Sequence, residues 1–298
     1  MRKRRAVGLA AALGAYSCWG FVPLYFKAIS AASPLEVLSH RVAWSLLLLL
    51  VLVSRAGQIK DLRSVLSPGR TLAMLAAASV LIAVNWLVYI WAVVQGRVME
   101  GSLGYFINPL VNVALGVAFL GEQLQRPVKI AVALAALGVG WLTVGLGHPP
   151  WISLALAFSF GSYGLLRKIV PVGAVLGLCV ETLLLAPFAL GTLAWLGAQG
   201  RLAFGSGDLR LDGLLILAGP ITALPLLLFA AAARRLPLST LGFVQYLSPT
   251  LQLLLAVLVF GEPLDAARAG AFVFIWLGLA VFTLYTLRAG WKRPLARG

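Results

Sequence analysis

The chain has 298 residues, 61% of them hydrophobic and 11% charged, which is too little polar surface to cover a water-soluble globule of that length. It reads as a membrane protein. The net charge of +15 would suit a nucleic-acid binder in a soluble chain, but here Lys and Arg sit in short clusters between apolar segments, as orientation signals do. No basic face with interleaved aromatics is left outside those segments, so no nucleic-acid partner is expected.

From the N-terminus, Met1 to Arg5 has the charged start of a signal peptide. The apolar run, however, continues from Ala6 past Trp19 to Ala28 without a convincing cleavage site, which predicts a first membrane helix. Windows of about 20 residues, the length that crosses a bilayer core, give spans near 6–29, 35–54, 71–94, 99–120, 127–146, 150–169, 172–196, 212–233, 238–260 and 267–288. Connections are short except for 55–70 and 197–211, so no separate soluble domain fits. Of the 24 Lys and Arg, about 18 fall on the side of the N-terminus and about four on the other, which predicts both termini in the cytoplasm. Cys18 and Cys179 lie within apolar runs with no Cys or His at ligand spacing, so neither a disulfide nor a metal site is expected.

One pattern occurs twice. Tyr105-Phe106-Ile107-Asn108-Pro109 runs on to Gly121-Glu122, and about 140 residues later Gln245-Tyr246-Leu247-Ser248-Pro249 runs on to Gly261-Glu262. The offset maps the fourth span onto the ninth, and an odd number of helices separates them, so the two copies enter the membrane in opposite senses. That predicts an inverted repeat with a candidate site near the midplane. The prolines mark where each helix is expected to break, and the Gly-Glu pairs read as helix-end punctuation.

Polar residues inside the spans carry the functional expectations. Arg41 sits about 9 Å below the start of the second span, beside His40, and a cation at that depth must face water or a partner, or else snorkel to the headgroups. Lys27, near a span end, reads as a snorkelling residue. Asn85, Trp86 and Tyr89 lie in the third span, while Tyr105, Asn108 and Asn112 share one face of the fourth. In the second half they are matched by Gln245, Ser248 and Gln252. Two readings follow: a polar, aromatic-walled substrate cavity, or interhelical hydrogen bonding with an interfacial aromatic belt. Tyr16, Gly20, Pro23 and Lys27 share a face of the first span, with a bend expected at Pro23. Glu181 is the one carboxylate expected deep in the membrane; the repeat maps Arg41 onto it, and it is the candidate for proton coupling or for pairing with Arg41.

The His40-Arg41-x-x-Trp44-Ser45 run, the Asn85-Trp86-x-x-Tyr89-x-Trp91-Ala92-Val93 segment, Ser102 to Leu110 and Gln245 to Pro249 resemble the RarD family of EamA-type transporters, over essentially the whole chain. The resemblance implies an all-α integral membrane protein, with ten transmembrane helices as two inverted five-helix repeats over 1–148 and 149–298. It also implies an inner-membrane location and a central cavity for a small solute such as an amino acid, metabolite or drug. A phosphate-binding nucleotide loop is absent, so ATP does not drive transport through that motif. An enzyme would need a nucleophile with its base or a metal cluster. His40 and His148, the latter in a loop, are too few for a metal site, and no cofactor is expected. The expected partners are a small-molecule substrate, membrane lipid and protons.

Overall fold

In lipid every backbone polar group must be satisfied inside the protein, which leaves apolar segments the choice of a helix or a closed barrel. The computed structural model describes residues 2–120, 126–233, 235–236 and 244–291, and none of these is in a strand. In chain order the helices are α1 (Arg2–Ala28), α2 (Pro34–Arg55), short α3 (Ile59–Val65), α4 (Arg70–Val94), α5 (Val98–Leu120) and α6 (Arg126–Leu146). They continue as α7 (Trp151–Ile169), α8 (Ala174–Ala198), α9 (Leu209–Ala233), α10 (Leu247–Leu254), extended by a π-helical stretch Leu255–Val259, and α11 (Ala266–Trp291). Seven of them are long and apolar enough to cross a membrane, namely α1, α2, α4, α6, α8, α9 and α11. α5 and α7, of 23 and 19 residues, have membrane-spanning length, and α10 with its extension forms a shorter apolar helix.

Local chemistry sets several boundaries. Ser33 is extended and its hydroxyl accepts from the Glu36 N–H, with Pro34 just inside the helix, so α2 starts where its first donors are met. The long connection 55–70 holds α3, anchored by buried Leu62. Pro109 does not break its helix, because α5 runs through it. Pro249 instead occupies the first turn of α10, behind the turn at Gln245 and Tyr246, where a missing N–H costs nothing. The repeat is therefore interrupted in the second copy only. The ninth window begins at 238, and its first residues, 238–243, lie outside those described.

Packing divides the helices into groups. α2 packs along α8 and α9, and α9 along α1; α5 and α4 each pack along α7; α6 pairs with α11; and α10 lies between α1 and α5. Two glycines permit close approach to a neighbouring helix backbone. A Cβ at Gly104 would stand 2.8 Å from the Ser153 carbonyl of α7, and one at Gly219 would stand 2.6 Å from the Trp44 backbone of α2. Both contacts would be lost with any larger residue.

The loop end opposite the N-terminus is tied by carboxylates. Glu36 accepts from the Ala203 and Phe204 N–H groups, each at 2.8 Å. Glu262, in the loop before α11, accepts from the Val98 N–H at 2.6 Å and the Met99 N–H at 2.8 Å. It thus caps α5 from a distant part of the chain, meeting donors that have no partner inside their own helix. This agrees with the helix-end reading of Gly261-Glu262; Gly121-Glu122 falls outside the described residues.

Burial pushes Glu262 above the usual carboxylate range, against the two N–H bonds and Arg268, with Glu100 adding to the rise. A carboxyl whose folded pKa is raised contributes stability that is fully present below its unfolded pKa and lost as pH rises through the folded value. Glu262→Gln is therefore expected to flatten the fall in stability over the pH range that begins near the ordinary carboxylate value of about 4. Glu262→Ala, which strands both N–H groups, is expected to cost about 1 kcal/mol. Thermal unfolding of the three proteins across that range checks both statements.

Candidate functional site

Arg41 lies one turn below the Val37 level of α2, on the face turned toward α4 and α9 rather than outward to the headgroups. Its Nε donates to the Thr222 hydroxyl of α9 at 2.8 Å. The guanidinium carbon stands 4.1 Å from the Trp86 ring centre and 5.8 Å from that of Phe26. Thr222 passes the bond on to the Ala218 carbonyl at 2.8 Å, so the acceptor is held in place. Among the described residues no carboxylate lies within ion-pairing distance of Arg41, and the residue is only half-buried. The hydroxyls of Tyr105, Tyr25 and Tyr89 are within electrostatic range of it.

The facing wall comes from α4 and α5. The Tyr89 and Tyr105 rings pack at a tilt of 59° with centres 5.4 Å apart, and Tyr89 also meets Phe26 at 6.1 Å. Asn85 is fully engaged. Its Nδ2 donates to the Leu156 carbonyl at 3.1 Å and to Ser159 Oγ at 3.0 Å, and its Oδ1 accepts from the Tyr105 hydroxyl at 3.2 Å. Asn85 therefore positions Tyr105 from behind. Asn85→Ala is expected to strand the Tyr105 hydroxyl, at a cost of about 2 kcal/mol, and to weaken solute binding. Melting curves of Asn85→Ala with and without Tyr105→Phe check this, since the second change removes the stranded group.

Two polar atoms at this wall have no partner. The Tyr89 hydroxyl and Asn108 Oδ1 are buried and unbonded, and the two residues are 3% and 7% exposed. In α5, Asn108 stands one turn beyond Tyr105, about 4.5 Å along the axis.

Other sequence candidates lie elsewhere. His40 is adjacent to Arg41 in sequence, yet a helix turns neighbouring side chains about 100° apart. Its ring packs on Phe204 at 4.7 Å and its Nδ1 accepts from Trp44 Nε1 at 3.1 Å, under the loop between α8 and α9. Asn112 is exposed and sits beside Gly161 and Gly164 of α7. Gln245 is half-buried in the turn before α10. Gln252 donates to the Trp19 carbonyl of α1 at 3.0 Å and to Ser248 Oγ at 3.3 Å, tying α10 to α1. Lys27 is exposed, as a snorkelling residue is.

Glu181 does not meet Arg41. It is fully buried and pairs with Arg167, from the last turn of α7, at 3.5 Å, and it accepts from the Tyr163 hydroxyl at 3.1 Å. Arg167 reaches it through space left by Gly177, where a Cβ would overlap the guanidinium. Positions equivalent by an inverted repeat need not be neighbours. Thr222, Phe26, Arg167 and Tyr163 escaped the sequence reading; only Thr222, a hydroxyl in an apolar span between Pro220 and Pro225, gave a signal there.

The sequence matches the EamA-like transporter family over residues 6–144. It is 45% identical over 289 residues to Protein RarD of Escherichia coli strain K12, covering 96% of this chain and 98% of that one. The chain belongs to the RarD family of EamA-like transporters. It is accordingly a multi-pass membrane transporter with the two-repeat architecture of that family. Among its RarD relatives, the Chloramphenicol-sensitive protein RarD of Pseudomonas aeruginosa is 34% identical, covering 91% of this chain and 92% of the other. A protein named only as an uncharacterized transporter, from Vibrio cholerae, is 46% identical over 97% of this chain and 96% of its own. A protein of known crystal structure superposes with a TM-score of 0.58 at 20% identity, over 95% of this chain and 98% of that one, which speaks for the fold alone.

Proposed function

We propose that this RarD-family protein is a secondary transporter that moves a small organic solute by alternating access, with the solute held around Arg41. The observation that carries the reading is the unpaired guanidinium of Arg41, set among aromatic rings where α1, α2 and α9 meet α4 and α5. A cation without a counter-ion is costly inside a membrane, and an anionic group on the solute would supply one. Rocking of one helix group against the other would expose that point to each side in turn. Trp86, Tyr89 and Tyr105 would cover the apolar part of the solute and Asn108 would orient it. The charge asymmetry supports cytoplasmic termini, the membrane is taken to be the inner one, and the repeats are taken to divide near 148. Protons are the proposed coupling ion, with Glu181 as the coupling group.

Proteoliposomes holding the purified protein test the reading. Saturable flux of organic anions, faster with an imposed proton gradient, is expected. Absence of flux for every amino acid, metabolite and drug tried, with and without the gradient, would overturn it.

A further inference from the structure

The polar inventory around Arg41 restricts what the site accepts, an inference that rests on the reading just given. We propose that the ligand is a small monoanion carrying a hydrogen-bond donor on an aromatic or apolar body, as in N-acyl amino acids or hydroxycarboxylates, and that zwitterions and amines are rejected.

The charge balance comes first. Each described glutamate that is buried or half-buried already has other partners: Glu36 the Ala203 and Phe204 N–H groups, Glu100 the Arg97 guanidinium at 2.7 Å, Glu181 Arg167 and Tyr163, and Glu262 the start of α5. None is left to balance Arg41 or to receive an ammonium group. The site is net cationic among the described residues, and a ligand with an amine would bring a second positive charge into it with only neutral oxygens to replace its water.

The directional groups come second. Arg41 commits its Nε to Thr222, and among the described residues its two terminal nitrogens have no partner. They form the parallel pair of donors that fits a carboxylate. The guanidinium is held over the Trp86 ring by that contact and by the bond to Thr222, so the fork is positioned before a ligand arrives. Beyond it, the Tyr89 hydroxyl and Asn108 Oδ1 are buried with no partner. Such groups are expensive to leave unmade, and an N–H or O–H on the ligand is what Asn108 Oδ1 requires. Between the two polar points the Tyr105 ring, fixed by its bond to Asn85, and Phe160, 6.1 Å from it, offer an apolar wall.

Four probes differing in one feature each separate the possibilities: N-acetyl-L-phenylalanine, 3-phenylpropanoate, L-phenylalanine and phenethylamine. Thermal shift and equilibrium binding on the purified full-length protein are expected to rank N-acetyl-L-phenylalanine first. The propanoate, lacking the donor, should follow about tenfold weaker, and the zwitterion and the amine should bind much more weakly than either. Asn108→Ala is expected to bring N-acetyl-L-phenylalanine down to the propanoate while leaving the propanoate unchanged. Arg41→Gln should abolish both, and Arg41→Lys, which keeps the charge without the fork, should retain part of the binding, so loss of folding would not be mistaken for loss of a ligand. Phenylalanine or phenethylamine binding as tightly as the acetylated compound would overturn the proposed class and leave the transporter reading standing. Failure of all four to bind folded protein would also overturn it. Binding in the expected order, without flux of the bound compound in proteoliposomes, would uphold the class and overturn the transporter reading.

Discussion

Arg41→Ala is expected to abolish solute transport, by at least about a hundredfold, in protein that still inserts and folds. The guanidinium touches Thr222, Trp86 and Phe26 and no carboxylate among the described residues, so its removal leaves no stranded buried anion behind. The folded state loses one hydrogen bond and a cation–π contact, about 1 to 2 kcal/mol together, and recovers the cost of holding an unpaired cation within the membrane. The structural effect is therefore small while the ligand effect is large. Flux in proteoliposomes beside a melting curve of the same preparation measures both, and transport at the wild-type rate would rule out an essential ligand role. Thr222→Val provides the graded companion. It frees the Nε without removing the charge, and it should lower affinity by less than the alanine change at Arg41.

Glu181→Ala is expected to be the most destabilising single change, by about 2 to 3 kcal/mol. Removing one partner of a buried ion pair commonly costs about 3 to 5 kcal/mol. The lower figure applies because the Arg167 side chain is 15% exposed and keeps bonds to the carbonyls of Val172 at 3.5 Å and Gly173 at 3.2 Å. Gly177→Ala should destabilise in the same direction by expelling Arg167 from its slot, and the double variant should cost less than the sum, since both changes break one contact. Glu181→Gln separates structure from coupling: it retains an acceptor for Tyr163 and cannot ionise. Loss of proton-driven flux in a protein that melts nearly as the wild type does would support the coupling role. Unchanged pH dependence would make Glu181 a structural ion pair alone.

The two cases show why a polar residue in a span is a strong signal of importance and a weak one of role. Both Arg41 and Glu181 stand out in the sequence because charge in a span is costly. Nothing in the spacing says that one is left without a counter-ion and the other is sealed against Arg167. Asn85 is a similar case. Its place one turn from Tyr89 suggested a cavity wall, whereas its three bonds make it the support behind Tyr105.

Composition and the apolar runs were enough for the all-α membrane class, and the motifs at His40 to Ser45, Asn85 to Val93, Ser102 to Leu110 and Gln245 to Pro249 for the family resemblance, since the length of an apolar run and a short motif are local properties of the chain. Apart from the ninth window, expected from 238 where the described helix begins at Leu247, the helix bounds came out within a few residues for the same reason. Tertiary structure alone decided which polar atoms meet. The unbroken course of α5 through Pro109, the interruption before α10, the inward turn of Arg41 and the separation of His40 from it depend on which helices pack together. A one-residue step turns a side chain by about 100°, and partners such as Arg41 and Thr222, 181 residues apart, are joined only by that packing.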